Sequence, residues 1–242
     1  MKLPLAYSQQ VEASTAFTFQ RVSLAACILL APLSITLYLV SWQGNQRAPL
    51  TPLITSAMAG PTGNTLHFIG AIAASFFLPL GYLGMSLLGM RRAPWLATIS
   101  AALSLVGWIP WAALMGLDSL AYDIGRTGST PQLVALWTTF NGDAVMTTYL
   151  LIYIIGHLLS AVLIGFMLGR LRLIPAWAAW AFALTSPLTI PIILVHTLLF
   201  QDVLKYLVCV LWIVGAIPAA LAMLTNKDLI QPSPSQAQSI KE

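Results

Sequence analysis

Charged residues are scarce in this 242-residue sequence. Only 7% of the residues are Asp, Glu, Lys or Arg, whereas an ordinary soluble domain carries about 25%. Apolar residues make up 58% of the chain, and the mean hydropathy is +0.84. This small number of charges cannot cover a water-facing surface. The composition therefore excludes a soluble globular domain and predicts an integral membrane protein.

Cysteine and the common catalytic motifs are also rare or missing. The two cysteines, Cys27 and Cys209, lie in apolar stretches, which excludes a disulfide framework or a cysteine metal site. The sequence contains no phosphate-binding loop, no H-E-x-x-H and no G-x-S-x-G, which favours a binding or transport protein over an enzyme. The basic residues are dispersed among short segments, so we expect no nucleic-acid partner.

Long charge-free runs predict an all-α bundle of six transmembrane helices. A spanning helix needs about 20 apolar residues, and six segments qualify: 22–42, 65–90, 95–117, 144–169, 175–198 and 206–225. The predicted organisation is a cytoplasmic N-terminal segment (1–21), a transmembrane domain (22–226) and a disordered cytoplasmic tail (227–242). Residues 130–140 are too few to span, and we expect a short interfacial helix there.

The basic residues predict the orientation of the bundle. Six crossings place both termini on one side. With the N-terminus inside, eight of the 11 basic residues are inside, and only Arg47, Arg126 and Lys205 are outside. Because cytoplasmic loops favour Lys and Arg, we expect both termini in the cytoplasm.

The fourth predicted helix carries a row of small residues and one ionisable residue. Ala161, Gly165 and Gly169 are spaced by four, which is typical of a face that packs against another helix. His157 lies near the middle of the same helix. An ionisable side chain at that depth is costly and is a candidate for function; the alternative is a neutral imidazole that hydrogen-bonds neighbouring helices.

The fifth predicted helix contains two prolines, Pro187 and Pro191, near the same depth. Each proline removes a backbone donor, so we expect a kink or break. Transporters often build substrate sites beside broken helices. We therefore predict small-solute binding or transport, with contacts from His157, Tyr153, Ser186 and Thr189. The alternative is an ordinary kinked helix whose Ser and Thr hydroxyls cap the freed carbonyls.

A second group of polar residues is predicted at the outer ends of the helices: His67, Asp118, Asp143, His196, Asp202 and Lys205. Histidine and carboxylate at one depth could bind a metal ion or transfer protons. This group gives an alternative function, a membrane-embedded redox or metal-dependent enzyme. The plain alternative is that polar residues belong at helix ends, where Asp143 would complement the helix dipole.

No metal or cofactor is predicted, because these residues come from separate segments without a metal-binding spacing. Haem would need two axial ligands at one depth. His157 lies about 16 Å deeper than His67, so the only candidate pair is His67 with His196. A third function, a structural or assembly subunit without a ligand, also fits the sequence.

The stretch from Tyr153-Ile-Ile-Gly-His157 through Arg170-x-Arg172-x-x-Pro175-x-Trp177 resembles small bacterial multi-pass membrane proteins of unknown function. The resemblance covers the fourth and fifth predicted helices. It implies a helical bundle in a bacterial inner membrane, and it implies no site residues.

Overall fold

The computed structural model describes residues 5–41, 61–194 and 198–225, and every regular element in these ranges is an α-helix. The helices are α1 (Leu5–Ser41), α2 (Pro61–Gly89), α3 (Pro94–Trp108), α4 (Trp111–Thr127), α5 (Pro131–Asn141), α6 (Ala144–Arg170), α7 (Ala176–Thr185), α8 (Thr189–Leu194) and α9 (Leu198–Thr225).

Five stretches of helix are long and apolar enough to cross a membrane. They are Thr15–Ser41, Asn64–Gly89, Pro94–Thr127, Ala144–Arg170 and Leu199–Thr225. This finding supports a multi-pass, all-α membrane protein. The sixth predicted span is not confirmed, because residues 175–198 contain the two short helices α7 and α8.

The break between α7 and α8 follows from proline chemistry, as the sequence predicts. Pro187 lies in the turn between Thr185 and Thr189, where its missing N–H removes a helical hydrogen bond. The Thr185 and Thr189 hydroxyls donate to the carbonyls of Phe182 (2.7 Å) and Ser186 (2.6 Å). The predicted break is present, but the two hydroxyls do not bond to the carbonyls of Ala183 and Pro187, which the prolines leave without their helical donors.

Two predicted boundaries differ from the structure. The sequence predicts that the third segment ends at residue 117, but a two-residue turn at Ile109 and Pro110 separates α3 from α4, and α4 continues to Thr127. Asp118 therefore lies inside a helix rather than at its end. At the N-terminus, α1 begins at Leu5 rather than near residue 22, because residues 5–31 contain no glycine or proline.

The helices pack around a core that α1, α2, α3, α6, α7 and α9 share, with Trp111 of α4. The predicted packing role of Gly165 and Gly169 is confirmed, and their partner is α7 of the same chain. A Cβ on Gly165 would lie 2.6 Å from the Ala179 carbonyl oxygen. The absence of a side chain lets the two helices touch, which stabilises bundles in lipid.

Basic side chains hold one end of the bundle together; we call it the arginine end. Arg21 donates to the carbonyls of Met223 and Leu224 in the last turn of α9. Arg92, in the α2–α3 turn, donates to the Leu171 carbonyl in the α6–α7 turn at 3.2 Å. The loops after α4 and α5 lie at the other end, which we call the Asp118 end.

At the Asp118 end, residues 131–141 form the short helix that the sequence predicts. The Thr130 hydroxyl accepts a hydrogen bond from Leu133 N at 3.4 Å and caps its first turn. No residue of α5 is buried. The Trp137 indole N–H donates to the Leu117 carbonyl at 3.0 Å and attaches α5 to α4.

Candidate functional site

His157 is buried in the middle of α6. Its ring stacks on Tyr153, one turn earlier, with 4.3 Å between ring centroids. Its Nδ1 lies 2.6 Å from the Tyr153 carbonyl oxygen, which accepts the N–H. Nε2, on the far side of the ring, is buried and has no hydrogen-bond partner among the described residues. A buried acceptor without a partner is costly, so this atom is the first candidate for contact with a ligand.

Two glycines bring α3 against α6 beside this histidine. A Cβ on Gly107 would lie 2.6 Å from the carbonyl carbon of Gly156 and from His157 N. The backbones therefore touch at this crossing. The close approach places Trp108, the residue after Gly107, 5.5 Å from the His157 ring, centroid to centroid.

A cavity of about 420 Å³ opens beside His157; we call it the deep cavity. The residues that line it are mostly aromatic and aliphatic. Its aromatic walls are Tyr38, Trp108, Trp111, Tyr153 and Trp212. The indole nitrogens of Trp108 and Trp212 are buried and have no acceptor among the described residues. Three of the lining residues, His157, Trp108 and Trp212, therefore carry a buried ring nitrogen without a described partner, and Tyr38, Tyr153 and Thr189 add hydroxyl groups.

Three of the four residues predicted to contact a solute line the deep cavity: His157, Tyr153 and Thr189. Thr189 belongs to α8, so the broken helix forms part of the wall. Ser186 lies outside the lining and is fully buried in the turn before α8. Of the two residues at the helix break that were predicted to contact a solute, only Thr189 lines the deep cavity.

A second cavity of about 320 Å³ lies toward the Asp118 end; we call it the Asp118 cavity. There the Asp118 carboxylate accepts a hydrogen bond from the Tyr38 hydroxyl at 3.4 Å. His67 Nε2 lies 3.9 Å from the same carboxylate oxygen. His67 Nδ1 lies 2.8 Å from the Tyr38 carbonyl oxygen, so α1, α2 and α4 meet at these three side chains.

The two cavities adjoin, because Tyr38, Trp111, Leu150 and Tyr153 line both. Aromatic rings connect them. Tyr38 packs on Trp111 with 5.0 Å between centroids, and Trp111 on Tyr153 with 5.5 Å. The cavities therefore lie side by side, one at Asp118 and the other at His157, with these four residues between them.

Of the predicted outer cluster, Asp143, Asp202 and Lys205 lie outside both linings. The Asp143 carboxylate accepts a hydrogen bond from Met146 N at 2.8 Å and caps the first turn of α6. Asp202 pairs with Lys205 on α9 at 2.8 Å. His196 lies outside the described residues. The hypothesis of a haem or metal site at His67 and His196 therefore stays a prediction. In the described ranges, no three His, Cys, Asp or Glu side chains gather into a group that could hold a metal ion.

The sequence analysis singled out Tyr153 but missed the other aromatic residues of the wall, Tyr38, Trp108, Trp111 and Trp212. The signal was present in Trp108-Ile-Pro-Trp111. This pair of tryptophans flanks a proline inside a predicted span rather than at its end.

Comparisons with protein-family models, with curated proteins and with solved structures find no match to this chain.

Proposed function

We propose that this protein binds a small organic solute inside its membrane-embedded bundle, in the deep cavity. The observation that carries this proposal is His157, which lines the cavity and whose Nε2 is a buried acceptor without a partner among the described residues. A ligand that donates a hydrogen bond would offset the cost of burying this nitrogen.

The size and chemistry of the deep cavity support the same function. Small-molecule sites measure about 300–1,000 Å³ and combine apolar walls with a few polar atoms. The deep cavity has about 420 Å³, and its lining residues include Trp108 and Trp212, whose buried indole nitrogens have no acceptor among the described residues. Its wall also contains Leu150 and Ile190, which are 44% and 41% exposed, so a solute could enter from the lipid side.

The orientation is part of the proposal. The arginine end carries Arg21, Arg91, Arg92, Arg170 and Arg172. The preference of Lys and Arg for cytoplasmic loops supports placing this end in the cytoplasm. The Asp118 end would then face the outside of a bacterial inner membrane.

The experiment compares phenol with toluene, which has the same ring and no hydroxyl. The full chain is titrated with each probe in dodecyl maltoside, and tryptophan fluorescence reports binding. We expect phenol to bind more tightly than toluene, and His157→Leu to remove the difference. Leu150→Trp should fill the shared wall and block both probes. Leu151→Trp is the matched control, because Leu151 is 54% exposed and lies outside both linings.

Absence of binding by wild type, or equal binding by wild type and Leu150→Trp, would overturn the proposal. Binding of both probes with no effect of His157→Leu would keep the cavity as a site and remove His157 from it.

A further inference from the structure

Asp118 is a half-buried carboxylate with no fixed cation beside it. Among the described residues, no lysine or arginine nitrogen lies within 4.0 Å of it. Its neighbours are the Tyr38 hydroxyl at 3.4 Å and His67 Nε2 at 3.9 Å. The side chain is 32% exposed, so this negative charge faces the Asp118 cavity.

Aromatic side chains line the same cavity as the carboxylate. Tyr38, Trp111, Trp137 and Tyr153 line the same cavity, and no lysine or arginine is among the described lining residues. The faces of aromatic rings attract cations, and cages of such rings bind quaternary ammonium groups. The carboxylate and the aromatic rings therefore both favour a positively charged ligand.

The lining favours an organic cation over a metal ion. Calcium takes six to eight oxygen ligands, and magnesium keeps a shell of six. The described lining supplies one carboxylate, and the next oxygen ligands are the Asn141 amide and the Tyr38 hydroxyl. An alkylated ammonium head needs few oxygen ligands and gains from contact with rings.

The adjoining deep cavity suits the rest of such a molecule. It begins at the shared walls formed by Tyr38, Trp111, Leu150 and Tyr153, and it contains no Asp, Glu, Lys or Arg among its described lining residues. A ligand with its cationic head at Asp118 would place an apolar or aromatic body there.

We propose that the solute is an amphipathic organic cation, whose ammonium head binds Asp118 and whose apolar body occupies the deep cavity. This inference rests on the proposed function, because the body of the ligand occupies the cavity proposed to bind a solute.

The test compares benzyltrimethylammonium with neopentylbenzene, in which carbon replaces the charged nitrogen at nearly the same shape. Both are titrated against the full chain in dodecyl maltoside, which carries no charge, with tryptophan fluorescence as the readout. We expect the cation to bind at least about tenfold more tightly than its neutral isostere. Asp118→Asn should reduce the advantage of the cation about tenfold, and Asp118→Glu should restore part of it.

The matched control is Asp123→Asn, which removes the same charge from an exposed position of α4 outside both linings. It should leave the preference unchanged. Because wild type alone compares the two probes, the test holds even if Asp118→Asn fails to fold.

Equal affinity for the two probes, or an equal loss in Asp118→Asn and Asp123→Asn, would overturn the cation proposal. If Leu150→Trp still blocked both probes in that case, the deep cavity would remain a solute site. Binding of neither probe would overturn the cation class, and the phenol titration would then decide the proposed function separately.

Discussion

Gly107 and Gly156 touch backbone to backbone where α3 crosses α6, directly before His157. This contact has a consequence for the site. It fixes the distance between the Trp108 and His157 rings, which form adjoining parts of the deep-cavity wall.

A methyl group at this crossing should destabilise the bundle. In Gly107→Ala the new Cβ would lie 2.6 Å from backbone atoms of Gly156 and His157, which cannot rotate away. We expect a loss of about 1–3 kcal/mol, the usual cost of overpacking, measured as unfolding free energy in mixed detergent micelles. The control is Gly116→Ala in α4, where a Cβ meets nothing within 4 Å. Equal stability of the two variants would contradict the close crossing.

Two parts of the site could be predicted from the sequence: the buried ionisable side chain of His157, and the helix break at Pro187. His157 could be identified because an ionisable side chain inside a charge-free span is costly to bury and is therefore a candidate for function. The α7–α8 break is evident because Pro187 removes a backbone donor. Both are local properties of one segment.

The Asp118 cavity could not be predicted in the same way, because it depends on how three helices are placed. Apolarity alone predicts that Asp118 ends a span, whereas α4 continues to Thr127 and places this carboxylate beside Tyr38 and His67. The small-residue row on α6 predicted a packed face, but not that α7 is its partner.

The Asp143 carboxylate should act on stability and not on ligand binding. It caps α6 through Met146 N, so Asp143→Ala should cost about 1 kcal/mol, and Asp143→Asn, which keeps the acceptor, only a fraction of that. Thermal unfolding in dodecyl maltoside measures the difference. Neither variant should change the affinity for benzyltrimethylammonium. A tenfold change in affinity would contradict this prediction and indicate that Asp143 takes part in ligand binding.

The arginine end should face the cytoplasm. In a variant with Cys27 and Cys209 replaced by alanine, a single cysteine is introduced at Arg91, in the α2–α3 turn, or at Ser129, in the exposed loop after α4. In intact bacterial cells, an impermeant maleimide should label Ser129→Cys and leave Arg91→Cys unlabelled until the cells are opened. The reverse pattern would invert the orientation, and labelling of both in intact cells would contradict placement at opposite ends.

The adjoining cavities at Asp118 and His157 would form the outer half of a transport path, so the proposed function predicts movement of solute as well as binding. Benzyltrimethylammonium carries a fixed charge and crosses pure lipid slowly, so its uptake into liposomes reports passage through the protein. We expect uptake of the labelled cation with wild-type protein, and its loss in Leu150→Trp, because Leu150 lines both cavities. Leu151→Trp should behave as wild type, which separates a blocked route from a general effect of a new tryptophan on α6. Tight binding without uptake by wild type would identify the protein as a receptor or store for its ligand and would contradict transport.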